Sequence, residues 1–199
     1  MSARKPGLPA NAAANAVPCP LPPKPHEDFD ACWQAVGARN IEAMANLGIY
    51  YEHGYVVSLD YKQALYWLHE AADDRSAKAM RELGVMFVNH WGVEQDHHQA
   101  VGWYRKAIEA DDKYAMTLLG YVYEQGWGVN KDDEQAVSWY RKAAAAGDAS
   151  GMFHLGVRYE NGVGVEQDQQ KAIAWFRKAA RRGDEQAKAE LKRLGESPE

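Results

Sequence analysis

The side chains best suited to chemistry in this sequence occur in pairs, and no pair has the third partner a catalytic site needs. His97 and His98 are adjacent at a predicted helix start, so their rings leave the backbone in different directions and do not converge on one metal ion. Cys19, His26 and Cys32 lack the ligand spacing of a zinc site, and two cysteines are too few for a disulfide framework. The carboxylate pairs Asp111-Asp112 and Asp132-Asp133 fall at helix N-termini, where the helix dipole accounts for them without acid–base chemistry. The sequence has no Walker A loop, no GxGxxG after a strand, no HExxH and no GxSxG. The reading is therefore of a non-enzymatic chain with no catalytic residues, no metal site and no cofactor.

Basic pairs recur at Arg105-Lys106, Arg141-Lys142 and Arg177-Lys178, joined by Arg181-Arg182. With a formal net charge of −5 they read as a solvated ridge, which argues against a dedicated nucleic-acid binder. Charge is unevenly spread: residues 26–112 carry a net −8 and residues 113–199 a net zero. No run approaches the length of apolar residues that spans a bilayer. Pro6, Gly7, Pro9 and Asn11 interrupt the N-terminus before any apolar stretch of signal-peptide length, which leads to the expectation of a cytoplasmic protein.

Proline marks where helices can form. Seven of the eight prolines lie in residues 1–25, which read as a disordered or polyproline-like tail, and the eighth is Pro198. Between them the sequence is proline-free and reads as helical throughout. A 36-residue repeat organises that body. Trp67, Trp103, Trp139 and Trp175 keep the interval, as do Gly48, Gly84, Gly120 and Gly156, and the capping residues Asp60, Asp96, Asp132 and Asp168.

Each repeat reads as two antiparallel helices. Helix A opens at Asn40, Ser76, Asp112, Asp148 and once more at Asp184, side chains that accept from unpaired first-turn N–H groups. Its apolar stripe runs Met44, Leu47, Gly48, Tyr51, and the glycine is expected where a neighbouring helix passes too close for a Cβ. Turns follow, clearest at Gly126-Trp127-Gly128-Val129 and Gly162-Val163-Gly164-Val165. Helix B starts at the capping Asp, with Gln63, Gln99 and Gln135 placed to complete a capping box, and it is expected to bury Ala64, Trp67, Leu68, Ala71 and their equivalents.

The pattern AMTLLGYVYEQGWGVNKDDEQAVSWYRKAAAAGD at 115–148, followed by GMFHLGVRYENGVGVEQDQQKAIAWFRKAARRGD at 151–184, resembles the Sel1-like repeat family, a relative of the tetratricopeptide repeats. The resemblance implies an all-α, right-handed α/α solenoid of 36-residue helix-turn-helix repeats. The expected divisions are a tail at 1–25, a capping helix at 26–40, repeats at 41–76, 77–112, 113–148 and 149–184, and a C-terminal capping helix and tail at 185–199. Val56 and His90 replace turn glycines, and Arg75 and Asp111 replace helix-ending glycines, so the first two repeats should be softer if those positions need positive φ.

With the tetratricopeptide register, the inner wall is built from A-helix positions that differ between repeats: Ala45, Asn46, Ile49 and Glu52 in the first, and an aromatic group later. Tyr114, Thr117, Leu118, Tyr121, Phe153, His154 and Val157, flanked by Glu124 and Glu160, form the candidate surface for a protein or peptide partner. The expected function is an interaction scaffold or adaptor, monomeric and bacterial. The alternatives implied by the resemblance are an immunity protein against a secreted toxin and a secreted host-interaction factor.

Overall fold

The structure, a computed structural model, describes residues 27–55 and 57–197. The expected tail at 1–25, together with Cys19, His26 and Val56, lies outside the described residues. Among the described residues the chain is all-helical: α1 (Glu27–Val36), α2 (Ile41–His53), α3 (Tyr61–Asp73), α4 (Ala77–Asn89), α5 (His97–Glu109), α6 (Lys113–Gln125), α7 (Asp133–Ala145), α8 (Ala149–Asn161), α9 (Gln169–Arg181) and α10 (Glu185–Arg193). The chain divides into two compact units, the first ending at Gln95 and the second beginning at Asp96. In the first unit α2 packs on α1, α3 and α4. In the second, successive helices pack from α5 to α10, and α6 also meets α8.

The caps set the helix starts. Asn40 accepts from the Ala43 N–H at 2.9 Å, Asp112 from Ala115 at 2.8 Å and Asp184 from Ala187 at 2.7 Å. On the B helices Asp132 accepts from the Gln135 N–H at 2.9 Å. The reciprocal half of the expected capping box is not made. The backbone N–H of Asp60, Asp132 and Asp168 instead donates to the carbonyl of Tyr51, Tyr123 and Tyr159 on the preceding A helix. The amide of Gln99 turns to the Asp96 carboxylate.

The A helices end in left-handed residues, at φ 65° for Gly54, 60° for His90, 74° for Gly126 and 67° for Gly162. Arg75 and Asp111 are left-handed as well, at 68° and 67°. A side chain there costs roughly 1–2 kcal/mol. His90 offsets part of the cost, because its Nδ1 accepts from the Gln95 N–H at 3.1 Å.

The core alternates alanines with large side chains. Ala64, Ala100, Ala136 and Ala172 are fully buried, as are Leu47, Leu83, Leu119 and Leu155. One expectation is corrected here. Trp67 is buried, but its counterparts Trp103, Trp139 and Trp175 are only half-buried, each with a lysine ammonium over the ring: Lys106 at 4.1 Å, Lys142 at 3.7 Å and Lys178 at 3.9 Å. The position that fills the core is the next one, Leu68, Tyr104, Tyr140 and Phe176. Tyr140→Ala should therefore cost about 3–5 kcal/mol, and Trp139→Ala less than half of that. Denaturant melts of the two variants check the order, and equal losses would show that the core has been misplaced.

Candidate functional site

The candidate surface lies on α6 and α8, adjacent helices of the second unit. Tyr114 and Tyr121 stand on α6 with 51% and 36% exposure, the Lys113 ammonium lying 5.1 Å from the Tyr114 ring. Tyr121 meets Trp127 edge to face at 5.2 Å, and Trp127 in turn stacks on His97 at 5.1 Å. His97 is thus a packing ring, while His98 is exposed. Leu118 is half-buried. Thr117 is buried, and its hydroxyl donates to the cap carboxylate of Asp148. That leaves Thr117 no surface to offer a partner.

On α8, Phe153 and Val157 are partly buried against the core, with the Phe153 ring 5.8 Å from that of Phe176. His154 stacks on Tyr140 at 5.0 Å and 12°, and burial pushes its imidazole below the usual range. The two glutamates expected as free acceptors are already engaged. Glu124 accepts from the Tyr140 hydroxyl at 2.7 Å and pairs with the Arg158 guanidinium, which also lies 3.8 Å from Asp133. Burial, followed by the bond to Glu124, holds the Tyr140 phenol well above its ordinary range. Glu160 pairs with Arg193, which is shared with Glu190.

The surface is therefore an aromatic face laid over ion pairs of Glu124 with Arg158 and of Glu160 with Arg193. Arg158 and Arg193 were absent from the sequence-derived set. Arg158 carried a signal, because Met86 and Val122 occupy its position in the second and third repeats.

In the first unit the equivalent face is more enclosed. Ala45, Asn46, Ile49 and Glu52 are all buried, and Asn46 accepts from Lys78 Nζ at 2.6 Å. Neither oxygen of Glu52 has a hydrogen-bond partner. Burial, reinforced by the charge of Glu82 and opposed by Arg81, raises its carboxyl from 4.5 to about 8. The folded state thus keeps a proton that the unfolded chain loses near pH 4.5. The contribution of Glu52 to stability is complete below that pH and is lost as the pH rises through about 8. Glu52→Gln should melt several degrees above the parent at pH 8.5 and close to it at pH 5. A difference independent of pH would show that the carboxyl is ionised in the fold.

Among curated proteins, none matches this sequence. The chain resembles a Sel1 repeat protein from Oxalobacter formigenes, known from a crystal structure, with 36% identity and a TM-score of 0.77 over 84% of this chain and 69% of that one. It also resembles c5321, a protective antigen of uropathogenic Escherichia coli strains with an SLR fold, at 29% identity and a TM-score of 0.70. That match covers 87% of this chain but only 38% of the antigen. The immunity protein Pa5087 from Pseudomonas aeruginosa aligns at 25% identity and a TM-score of 0.64, over 85% of this chain and 63% of that one. The Sel1 repeat itself matches at residues 41–75, 77–112, 113–148 and 149–184, on the helix pairs described above, and the chain belongs to the Sel1 repeat family.

Proposed function

We propose that this chain is a non-enzymatic scaffold that holds a protein or peptide partner against the A-helix face of its second unit. Sel1 repeat proteins are protein-interaction scaffolds, a generally non-catalytic architecture, and no described helix is long and apolar enough to cross a membrane. The observation that carries the finer reading is the pair of exposed tyrosines, Tyr114 and Tyr121, on a helix that buries Ala115, Leu119 and Val122 in the core. Large aromatic rings held on a rigid helix bury much area on binding at little entropic cost. Leu118, Val157, His154 and Phe153 continue the face, and the ion pairs of Glu124 and Glu160 hold its edge in place. An immunity role fits within this reading, since Pa5087 is named an immunity protein.

A second reading concerns the compartment. Cys32 is fully buried and disulfide-bonded, and the sequence has one other cysteine, Cys19. Protein disulfides persist in oxidising compartments and are rare in a reducing cytoplasm. This favours an exported scaffold over the cytoplasmic one expected from the N-terminus. Chain isolated from its source without reductant and unfolded should take up no maleimide until a reductant is added. Labelling before reduction would return the protein to a reducing compartment.

The partner surface is tested by a photo-crosslinking residue at Tyr121, with one at Arg141 as the control. The partner identified by crosslinks from Tyr121 is then titrated against the double variant Tyr114→Ala, Tyr121→Ala. Two aromatic anchors together account for about 2 kcal/mol or more, so affinity should fall at least about thirtyfold while helicity is unchanged. Unchanged affinity would move the binding surface elsewhere, with the basic ridge at Arg141, Lys142, Arg177 and Lys178 the next to mutate.

A further inference from the structure

Glu52 on α2 is 2% exposed, and both of its carboxyl oxygens lack a hydrogen-bond partner. Buried polar groups in folded proteins are nearly always paired, so an orphan of this kind asks for an explanation. The other repeats show what the position is built to hold. Two repeats on, Glu124 takes the Tyr140 hydroxyl and the Arg158 guanidinium. In the fourth repeat Glu160 takes the guanidinium of Arg193. Moving the donors of Glu124 back by two repeats lands on Leu68 and Met86, both fully buried and neither with a proton to give. One repeat back from Glu124 and Arg158 stand Val88, in the second repeat, and Val122, in the third, so there the acceptor and the guanidinium are both replaced by apolar residues. Only the first repeat keeps the carboxyl and drops its donors.

The cations nearby are committed elsewhere. Lys78 Nζ donates to Asn46 Oδ1 at 2.6 Å, and Arg81 pairs with Glu82 at 2.8 Å. Arg81 and Glu82, the charges that act on Glu52, are themselves partly exposed to solvent. Resting on the scaffold reading, we propose that Glu52 receives the guanidinium of an arginine carried by a protein partner, seated as Arg158 is against Glu124. Arginine is favoured over lysine because both internal precedents are guanidinium groups, whose planar fork matches a carboxylate. The net −8 of residues 26–112 steers a basic segment to this end of the chain. Glu52 is held protonated at neutral pH by burial first and by Glu82 next, so an arriving guanidinium ionises it and one proton passes to the buffer.

The test uses the full chain with argininamide as the probe and citrullinamide, its uncharged isostere, as the control. At about 10 mM, argininamide should raise Tm by about 2 °C and release a proton on binding, while citrullinamide does neither. Glu52→Gln should lose both responses, whereas the Tyr114→Ala, Tyr121→Ala variant keeps them, which separates this site from the tyrosine face. Met86→Arg supplies a guanidinium from within the chain and should abolish the response. If that variant does not fold, the Glu52→Gln comparison decides alone. Equal responses to the two probes, no response to argininamide, or a response that survives in Glu52→Gln would each overturn the proposal.

Discussion

The A and B helices of a repeat meet where helix A has no side chain, and much else follows from that contact. A Cβ built on Gly48 would fall 2.5 Å from Leu68, one on Gly120 2.7 Å from the Tyr140 ring, and one on Gly156 2.6 Å from the Phe176 ring. No real side chain tolerates such distances, so the glycine is what lets the large residue of helix B lie flat against the backbone of helix A. Glycine costs helix propensity in mid-helix, and the buried ring offsets that loss several times over. The contact also aims chemistry. Because the Tyr140 ring lies against Gly120, its hydroxyl reaches Glu124 one turn further along the same helix, and the ionic network with Arg158 is assembled from there. A second close approach works within the second unit, where a Cβ on Gly128 would meet the His97 carbonyl carbon at 2.5 Å. The turn of one repeat is thus seated on the first residue of helix B in the repeat before.

The 36-residue interval made the architecture legible. It located the helix caps, the close-packing glycine and the left-handed turn positions, because each of these depends on local chemistry that recurs with the repeat. The same interval could not say which of two neighbouring aromatic residues is buried. Trp139 and Tyr140 are adjacent and both are large and apolar, but one step along a helix turns the side chain by about 100°. The burial of Tyr140 was decided by the glycine opposite it, a tertiary fact. The capping box failed for a related reason. The Asp side chain captures its local N–H groups as the sequence suggests, while the backbone N–H of the same residue is taken by a tyrosine carbonyl nine residues earlier.

The candidate face was legible in part. Tyr114 and Tyr121 stand out to solvent as their positions imply. Thr117, Glu124 and Glu160 do not act as free groups, because their partners Asp148, Arg158 and Arg193 lie 31 to 34 residues away. A hydroxyl or carboxylate that looks available within one repeat is satisfied by the next. Only a comparison of repeats at the donor positions would have revealed it, and Arg158 against Met86 and Val122 was the visible clue.

That comparison also divides the molecule by how it handles buried charge. A buried charge is tolerated when it is paired and costly when it stands alone, so a repeat array that varies by substitution has two stable choices at each such position: complete the pair or remove both members. Glu124 and Glu160 of the third and fourth repeats complete it, and one repeat earlier the acceptor and guanidinium positions are the valines Val88 and Val122. With Glu124 and Glu160 paired to arginines, the second unit exposes the aromatic carbon of Tyr114 and Tyr121 above a fixed ionic frame. The first repeat departs from both choices, and protonation of Glu52 is how the isolated chain lives with the mismatch. Neutralising the group removes most of the cost of burial, and an opposite charge brought against it would favour the ionised form again. An array of nearly identical units can in this way carry two unlike surfaces without any change of fold.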